Sequence, residues 1–315
     1  MARLYRLIPS CIQSNANLRP KLLKKLLLAI LTLGLWFRFG MILLLFILPG
    51  SASAEPSRIV SLYPGHTDNI VALGAGNRLV GVSRSDDAEF LKELKDLPRL
   101  PPKVGAEALL ALAPDVVFLR SLNVQMNPNL IDVLERAGIE VQVIDPPSWE
   151  GFEEYLAQLS EILGVDSNSA RRRLKDIRDS IAQRAVERSG VTPRVFLEAT
   201  SRELHTCAPG SWAARLIELA GGENAASNAV PLRKGSPLAA WGIERTLEMA
   251  QQGLDVYLVQ QGAMNVATLD DVRSRAWFTA LKDVHVEAIP ERCLSRPSLL
   301  GLEEGGKRLL AIFSD

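Results

Sequence analysis

Residues 58–87 read RIVSLYPGHTDNIVALGAGNRLVGVSRSDD, and in them a buried strand, a turn, a helix and a second strand follow one another without spare residues. Ile59, Val60 and Leu62 supply the β-branched and apolar run, and Pro64-Gly65 interrupts it. Thr67 or Asp68 is placed to cap the helix that follows, and Gly74 to Gly76 end it. The order predicts a tight βαβ unit whose first strand opens at its carboxyl end into a ligand-facing loop.

The same alternation continues outward. In the first half, strands are predicted at 58–62, 79–83, 116–119 and 141–144, with helices that include 106–112 and 130–137. In the second, strands at 195–198, 256–260 and 286–289 repeat the theme, with helices near 212–220, 243–250 and 274–281. Such alternation predicts parallel sheets covered by helices, with loops gathered at the strand carboxyl ends. Residues 149–188 hold no proline, and their only glycines are Gly151 and Gly164. Ala170, Leu174, Ile177, Ile181 and Ala185 recur there at three- and four-residue spacing, which describes one long amphipathic helix. The chain therefore divides into an α/β lobe at 55–148, a helical connector at 149–190 and a second α/β lobe at 191–315.

The segment before residue 55 reads as an export signal. Arg3, Arg6, Arg19, Lys21, Lys24 and Lys25 precede an apolar run over 26–48, and Ser51-Ala52-Ser53-Ala54 offers an A-x-A cleavage site after Ala54. The run is also long enough to span a bilayer, so a retained anchor is the alternative. No cysteine follows it, which disfavours a lipid anchor. Export to the periplasm is the expectation.

Composition narrows the class. Lys and Arg total 36, as do Asp and Glu, but the leader is basic, so the rest is net acidic and lacks the cationic stripe that nucleic acids require. Beyond the leader only Cys207 and Cys293 remain. In an oxidising compartment they invite a disulfide; two unrelated thiols, or one soft ligand to a bound metal, are the other readings.

The opening "RIVSL.P..T", the string GAEALLALAPDVVFLR at 105–120 and LIELAGGENAASN at 216–228 occur in an order that resembles the substrate-binding proteins of ABC importers for ferric siderophores, haem and cobalamin. Asp68-Asn69 stands where that family has a glutamate, and His66 is additional. The resemblance implies two Rossmann-like lobes with parallel sheets joined by one long helix, a chelatase-like plan. It implies a metal chelate as transported ligand, no resident cofactor, and a permease dimer with its ATPase as partners. It also implies that Glu107 and Glu244, one per lobe, dock onto permease arginines, where paired rim carboxylates would give orientation and on-rate.

Loops following the strands nominate the ligand site. From the first lobe they carry Tyr63, His66, Arg84, Ser85, Arg120 and Asn123; from the second, Glu198, His205, Trp212, Trp241, Gln260, Gln261, Met264, Asn265 and Arg296. Aromatic faces, guanidinium groups for carboxylate or phosphate, and amides for carboxamide edges suit a large, partly anionic chelate. His66 is a candidate axial ligand to cobalt or haem iron. The tryptophans and amides favour a corrinoid over a ferric siderophore or haem.

Enzyme motifs are missing. Gly74-Ala75-Gly76 ends a helix, and the third glycine of a dinucleotide fingerprint would fall on Leu79. The run from Gly301 to Lys307 mimics a phosphate loop but continues with Arg308, and neither G-x-S-x-G nor H-E-x-x-H occurs. The expectation is a non-catalytic periplasmic binding protein that delivers a corrinoid or other metal chelate to an importer. Its alternative is a membrane-anchored ligand sensor or scaffold on the same fold.

Overall fold

Five parallel strands organise the first half: β1 (Ile59–Ser61), β2 (Leu79–Ser83), β3 (Arg99–Leu100), β4 (Val116–Leu119) and β5 (Glu140–Val143), in spatial order β3-β2-β1-β4-β5. The computed structural model describes residues 55–86 and 91–314. The expected export signal and cleavage site lie outside the described residues. Chain order reverses direction beside β1, so the crevice of this sheet opens between the carboxyl ends of β1 and β4. β1 and β4 are buried throughout, as expected of strands covered on both faces.

The second half holds β6 (Arg194–Glu198), β7 (Thr206–Cys207), β8 (Glu223–Asn224), β9 (Val230–Pro231), β10 (Leu238–Ala240), β11 (Val256–Gln261) and β12 (His285–Pro290). A parallel sheet in the order β12-β11-β6-β8 has its own switch point between β6 and β11. The other three strands form a small antiparallel sheet, β7-β10-β9, absent from the sequence reading because two- and three-residue strands carry no usable alternation. The α/β plan with two parallel sheets agrees with the sequence.

Three local readings are corrected. The first helix starts at Pro64, not at Thr67 or Asp68: it spans Pro64–Ala72 with Tyr63 as its N-cap residue, because proline at the first position presets the helical φ. The helical stretch 149–188 is interrupted once: a separate helix, Phe152–Leu163, precedes the long amphipathic helix, which is present as expected at Ser167–Glu187. Gly164, at φ 66°, closes the first, and the Asp166 carboxylate caps the second by accepting from the N–H groups of Asn168 and Ser169. Ala170, Leu174, Ile177 and Ile181 are buried as the spacing required. The helix expected at 274–281 is only a 3₁₀ turn, Phe278–Leu281, because a capping box of Thr268 and Asp271 starts the helix earlier, at Leu269–Arg273.

The last helix, Leu299–Ile312, joins the halves a second time, packing on Pro64–Ala72, on Ser167–Glu187 and on Trp212–Leu219. Its glycines are what permit this. A Cβ on Gly305 would sit 1.9 Å from the Cys293 carbonyl oxygen, and one on Gly306 would sit 2.2 Å from Cδ1 of Ile181. The run that mimicked a phosphate loop is thus a close-packing face. Cys207 and Cys293 are both buried and free, so no bridge joins them. Each fills the core as a small apolar side chain, and burial pushes the Cys207 thiol up to about 12. Among the described residues no helix is long and apolar enough to cross a membrane.

Candidate functional site

The two halves meet where the loop after β1 faces the segment after β12. Tyr63 caps the first helix, and Gly65 keeps the helix start against its ring, since a Cβ there would lie 2.4 Å from Tyr63 Cε1. The Arg120 guanidinium, from the loop after β4, sits 4.7 Å from the centre of the Tyr63 ring. These loops flank the first sheet's switch point. From the second half, Arg296 and Glu291 lie close enough to act on the Tyr63 hydroxyl, as do Arg120 and Asp68 from the first. Burial dominates and pushes that hydroxyl up to about 12. Tyr63, Arg120, Arg296 and Glu291 thus form a mixed-charge aromatic centre shared by both halves.

Direct bonds hold this junction shut at its base. Asn69 donates from Nδ2 to the carbonyls of Gly65 at 2.7 Å and Pro297 at 3.1 Å, and its Oδ1 accepts from the Leu299 N–H at 3.0 Å. Arg296 Nη1 stands 3.8 Å from Asp68 Oδ2.

His66 takes no part as a ligand. It is fully buried, with Nε2 2.9 Å from the Ile144 carbonyl and Nδ1 2.8 Å from the Tyr155 hydroxyl. A carbonyl only accepts, so Nε2 carries the proton and Nδ1 accepts from Tyr155. Burial lowers the ring's pKa to about 4, keeping it neutral. With both nitrogens engaged, the axial-ligand expectation is overturned.

Several other nominated residues serve the scaffold. Trp212 is buried between Trp149 and Phe152, both 4.8 Å away between ring centres, so it belongs to the core. Asn123 closes a capping box, its Oδ1 accepting from the Arg120 N–H at 2.9 Å, and its Nδ2 donates to Pro102. Gln260 pairs with Ser295 and Ala199, Gln261 Nε2 donates to the Ala267 carbonyl at 3.2 Å, and Asn265 bonds Ser201, Ala267 and Glu198. Trp241 carries the Arg245 guanidinium over its ring at 3.6 Å, and His205 faces Glu203 at 3.2 Å. Arg84 and Ser85 are exposed after β2, and Met264 is exposed after β11, its N–H donating to Glu291 at 2.9 Å.

At the second switch point the chemistry is different. Glu198, fully buried at the end of β6, accepts from Tyr257 at 2.6 Å and from both terminal nitrogens of Arg275, at 2.6 and 2.8 Å. This network holds Arg275 on the wall of a cavity of about 410 Å³, which Glu203, Glu244 and Trp277 also line. Glu107 and Glu244 are both exposed in the first turns of the helices Ala106–Leu110 and Ile243–Gln251.

Sequence reasoning missed Asp68 as a site group, and missed Asp86, Arg275 and Glu291. Glu291 begins directly after β12 and was open to the strand-end rule applied elsewhere; Asp86 and Arg275 gain meaning only from burial and partners distant in sequence.

No family model matches the chain. It is similar to the vitamin B12-binding protein of Vibrio parahaemolyticus, 24% identical over 254 residues that cover 78% of this chain and 86% of that protein. It is also 26% identical over 183 residues to YvrC, an uncharacterized ABC transporter substrate-binding lipoprotein of Bacillus subtilis, spanning 55% of this chain and 57% of that relative. Among solved structures, the periplasmic heme-binding protein HutB of Vibrio cholerae matches with a TM-score of 0.64 at 22% identity, over 82% of this chain and 99% of that one. The periplasmic vitamin B12-binding protein BtuF of the same organism gives 0.58 at 20% identity, over 82% and 97%. The likeness establishes a shared fold, that of periplasmic binding proteins, and agrees with the family resemblance read from the sequence.

Proposed function

We propose that this chain is the substrate-binding component of an ABC importer, which captures a metal chelate between its two halves and passes it to a permease dimer with its ATPase. The observation that carries this reading is the meeting of Tyr63 and Arg120, from the first sheet's switch point, with Arg296 and Glu291 of the other half. Open α/β sheets take ligands in the crevice at their switch point, and here such a crevice faces a second half across a polar aromatic centre. No step of chemistry is required of it.

The cargo is a corrinoid, haem or another ferric chelate. The tryptophan and amide argument for a corrinoid no longer holds, because Trp212 is core and the amides of Asn123, Gln260, Gln261 and Asn265 are engaged internally. Cobalamin stays first in order through the relatives named for vitamin B12, and the arginines keep the carboxylates of haem close behind. Arg84, Arg120, Arg296 and Tyr63 are the side chains assigned to the cargo, with Ser85, Trp241, His205 and the Arg275 cavity at the margin. Glu107 and Glu244 are assigned to the permease, and the leader to export, with cleavage after Ala54.

Titrating protein purified from expression of the full chain with cyanocobalamin, haem and a ferric siderophore panel, followed by tryptophan quenching, tests the reading. Binding at micromolar or tighter affinity to one of them is the expected result. Lack of binding across the whole panel would refute capture of these cargoes.

A further inference from the structure

Two carboxylates that cargo capture leaves unused are enclosed at the junction. Asp68, 1% exposed, belongs to the Pro64–Ala72 helix, and Asp86, 8% exposed, follows β2. Arg296 reaches them from the other half: it is 9% exposed, and its Nη1 stands 3.8 Å from Asp68 Oδ2 without a hydrogen bond among the described residues. Neither oxygen of Asp86 has a hydrogen-bond partner among the described residues, while Arg99 donates to its backbone carbonyl at 2.8 Å.

Among the described residues, the charges facing Asp86 are those of Asp68, Arg296 and Arg99, with the Thr67 hydroxyl nearby. Burial and then repulsion from Asp68 push its carboxyl up to about 7, against the pull of Thr67, Arg296 and Arg99. Two enclosed carboxylates thus lie together, with Arg296 acting on both and Arg99 on Asp86, and a proton on Asp86 relieves the repulsion between them. Asp68 and Arg296 in turn act on Tyr63, which with Arg120 and Arg296 is assigned to the cargo.

We propose that the Asp68–Asp86 pair sets which charge class of chelate the junction accepts, making capture of an anionic, carboxylate-bearing cargo dependent on a proton at Asp86. With Asp86 protonated, Asp68 alone engages Arg296, and the free Nη1 hydrogens serve an incoming carboxylate. With Asp86 ionised, the second negative charge draws Arg296 back and repels the anion. Binding of an anion then takes up a proton, since each equilibrium biases the other. Asp68 and Asp86 are positioning residues that act through Arg296. The cargo half of the inference rests on the function proposed above, whereas the titration of the acid pair belongs to the ligand-free protein as well.

The test pairs the two. Carbon-13 NMR of the Asp86 carboxyl in ligand-free protein is expected to give a midpoint near 7 that moves upward in Arg296→Gln. Affinity for haem, a dicarboxylate, is expected to weaken roughly tenfold from pH 6 to pH 8, the factor of about one unit of coupling. In Asp86→Asn that loss disappears, and affinity stays near the wild-type value at pH 6. Cyanocobalamin, which offers amides in place of carboxylates, shows no such loss. An Asp86 midpoint near 4, or the same pH profile for haem in Asp86→Asn as in wild type, would overturn the inference while leaving cargo capture intact. If neither chelate binds at either pH although Asp86 titrates near 7, cargo capture itself fails and takes the selective role with it.

Discussion

Asn69 accepts a hydrogen bond from the Leu299 N–H at 3.0 Å, so the helix Pro64–Ala72 is tied to the start of the helix Leu299–Ile312. Its Nδ2 also meets Pro297 at 3.1 Å, and the group is fully buried. Asn69→Leu would orphan a buried N–H and a buried carbonyl, each worth about 1–3 kcal/mol. We expect a loss of about 3 kcal/mol in urea unfolding, a large fraction of a typical domain's stability.

Two buried groups oppose each other in acid. The His66 ring, lowered from 6.5 to about 4 by burial, contributes stability above pH 6.5 that is lost as pH falls through 4, about 3 kcal/mol by linkage. Asp86, raised from 3.8 to about 7, contributes stability below pH 3.8 that is lost as pH rises through 7, about 4 kcal/mol by the same arithmetic. Between pH 4 and 6.5 the two slopes partly cancel. Denaturation across this window should therefore show Asp86→Asn gaining stability with pH relative to wild type, and His66→Gln losing it.

Glycine positions separate close packing from backbone freedom. Gly305→Ala forces a methyl against the Cys293 carbonyl oxygen 1.9 Å away and is expected to cost about 3 kcal/mol, near the top of the overpacking range. Gly74, at φ 84° with nothing within 4 Å, should lose only about 1 kcal/mol as Gly74→Ala. Equal effects at the two sites in chemical denaturation would contradict the packing account of the last helix.

Glu198 has no exposure and accepts hydrogen bonds from Arg275 and Tyr257. Arg275→Leu leaves that carboxylate buried and uncompensated, so about 3–5 kcal/mol should be lost. Glu198→Gln with Arg275→Leu together should recover part of it, a coupling that a double-mutant cycle reads directly.

Reversing the exposed acids, as in Glu107→Lys and Glu244→Lys, should leave unfolding within about 0.5 kcal/mol of wild type, as for other surface changes. Chelate affinity should also hold, whereas stimulation of the importer's ATPase by the loaded protein should fall, most of all in the double variant. Unchanged stimulation would remove both residues from docking.

Much of the fold was legible because buried parallel strands announce themselves: Leu79–Ser83 and Val116–Leu119 are short apolar runs between breakers. The small sheet through Val230–Pro231 was not, since an edge strand of two residues with a proline has neither alternation nor length. Strand-end loops nominated Tyr63, Arg120 and Arg296 for the ligand, and these three lie together at the junction. They could not tell which polar groups would be spent internally, so Gln260, Asn265 and His66 read alike with the rest until their partners were placed. Asp86 shows the converse. Nothing in Arg84-Ser85-Asp86 marks the last of these as buried against Asp68, because that proximity is made by the packing of β2 beside the first helix.

Hydrogen exchange of the protein with and without its bound chelate tests the central claim most directly. Capture between the halves predicts new protection in the loops around 61–67, 84–86, 120–123 and 291–297, on both sides of the junction at once. Protection confined to one half, or to the outer helices at 152–187, would contradict it.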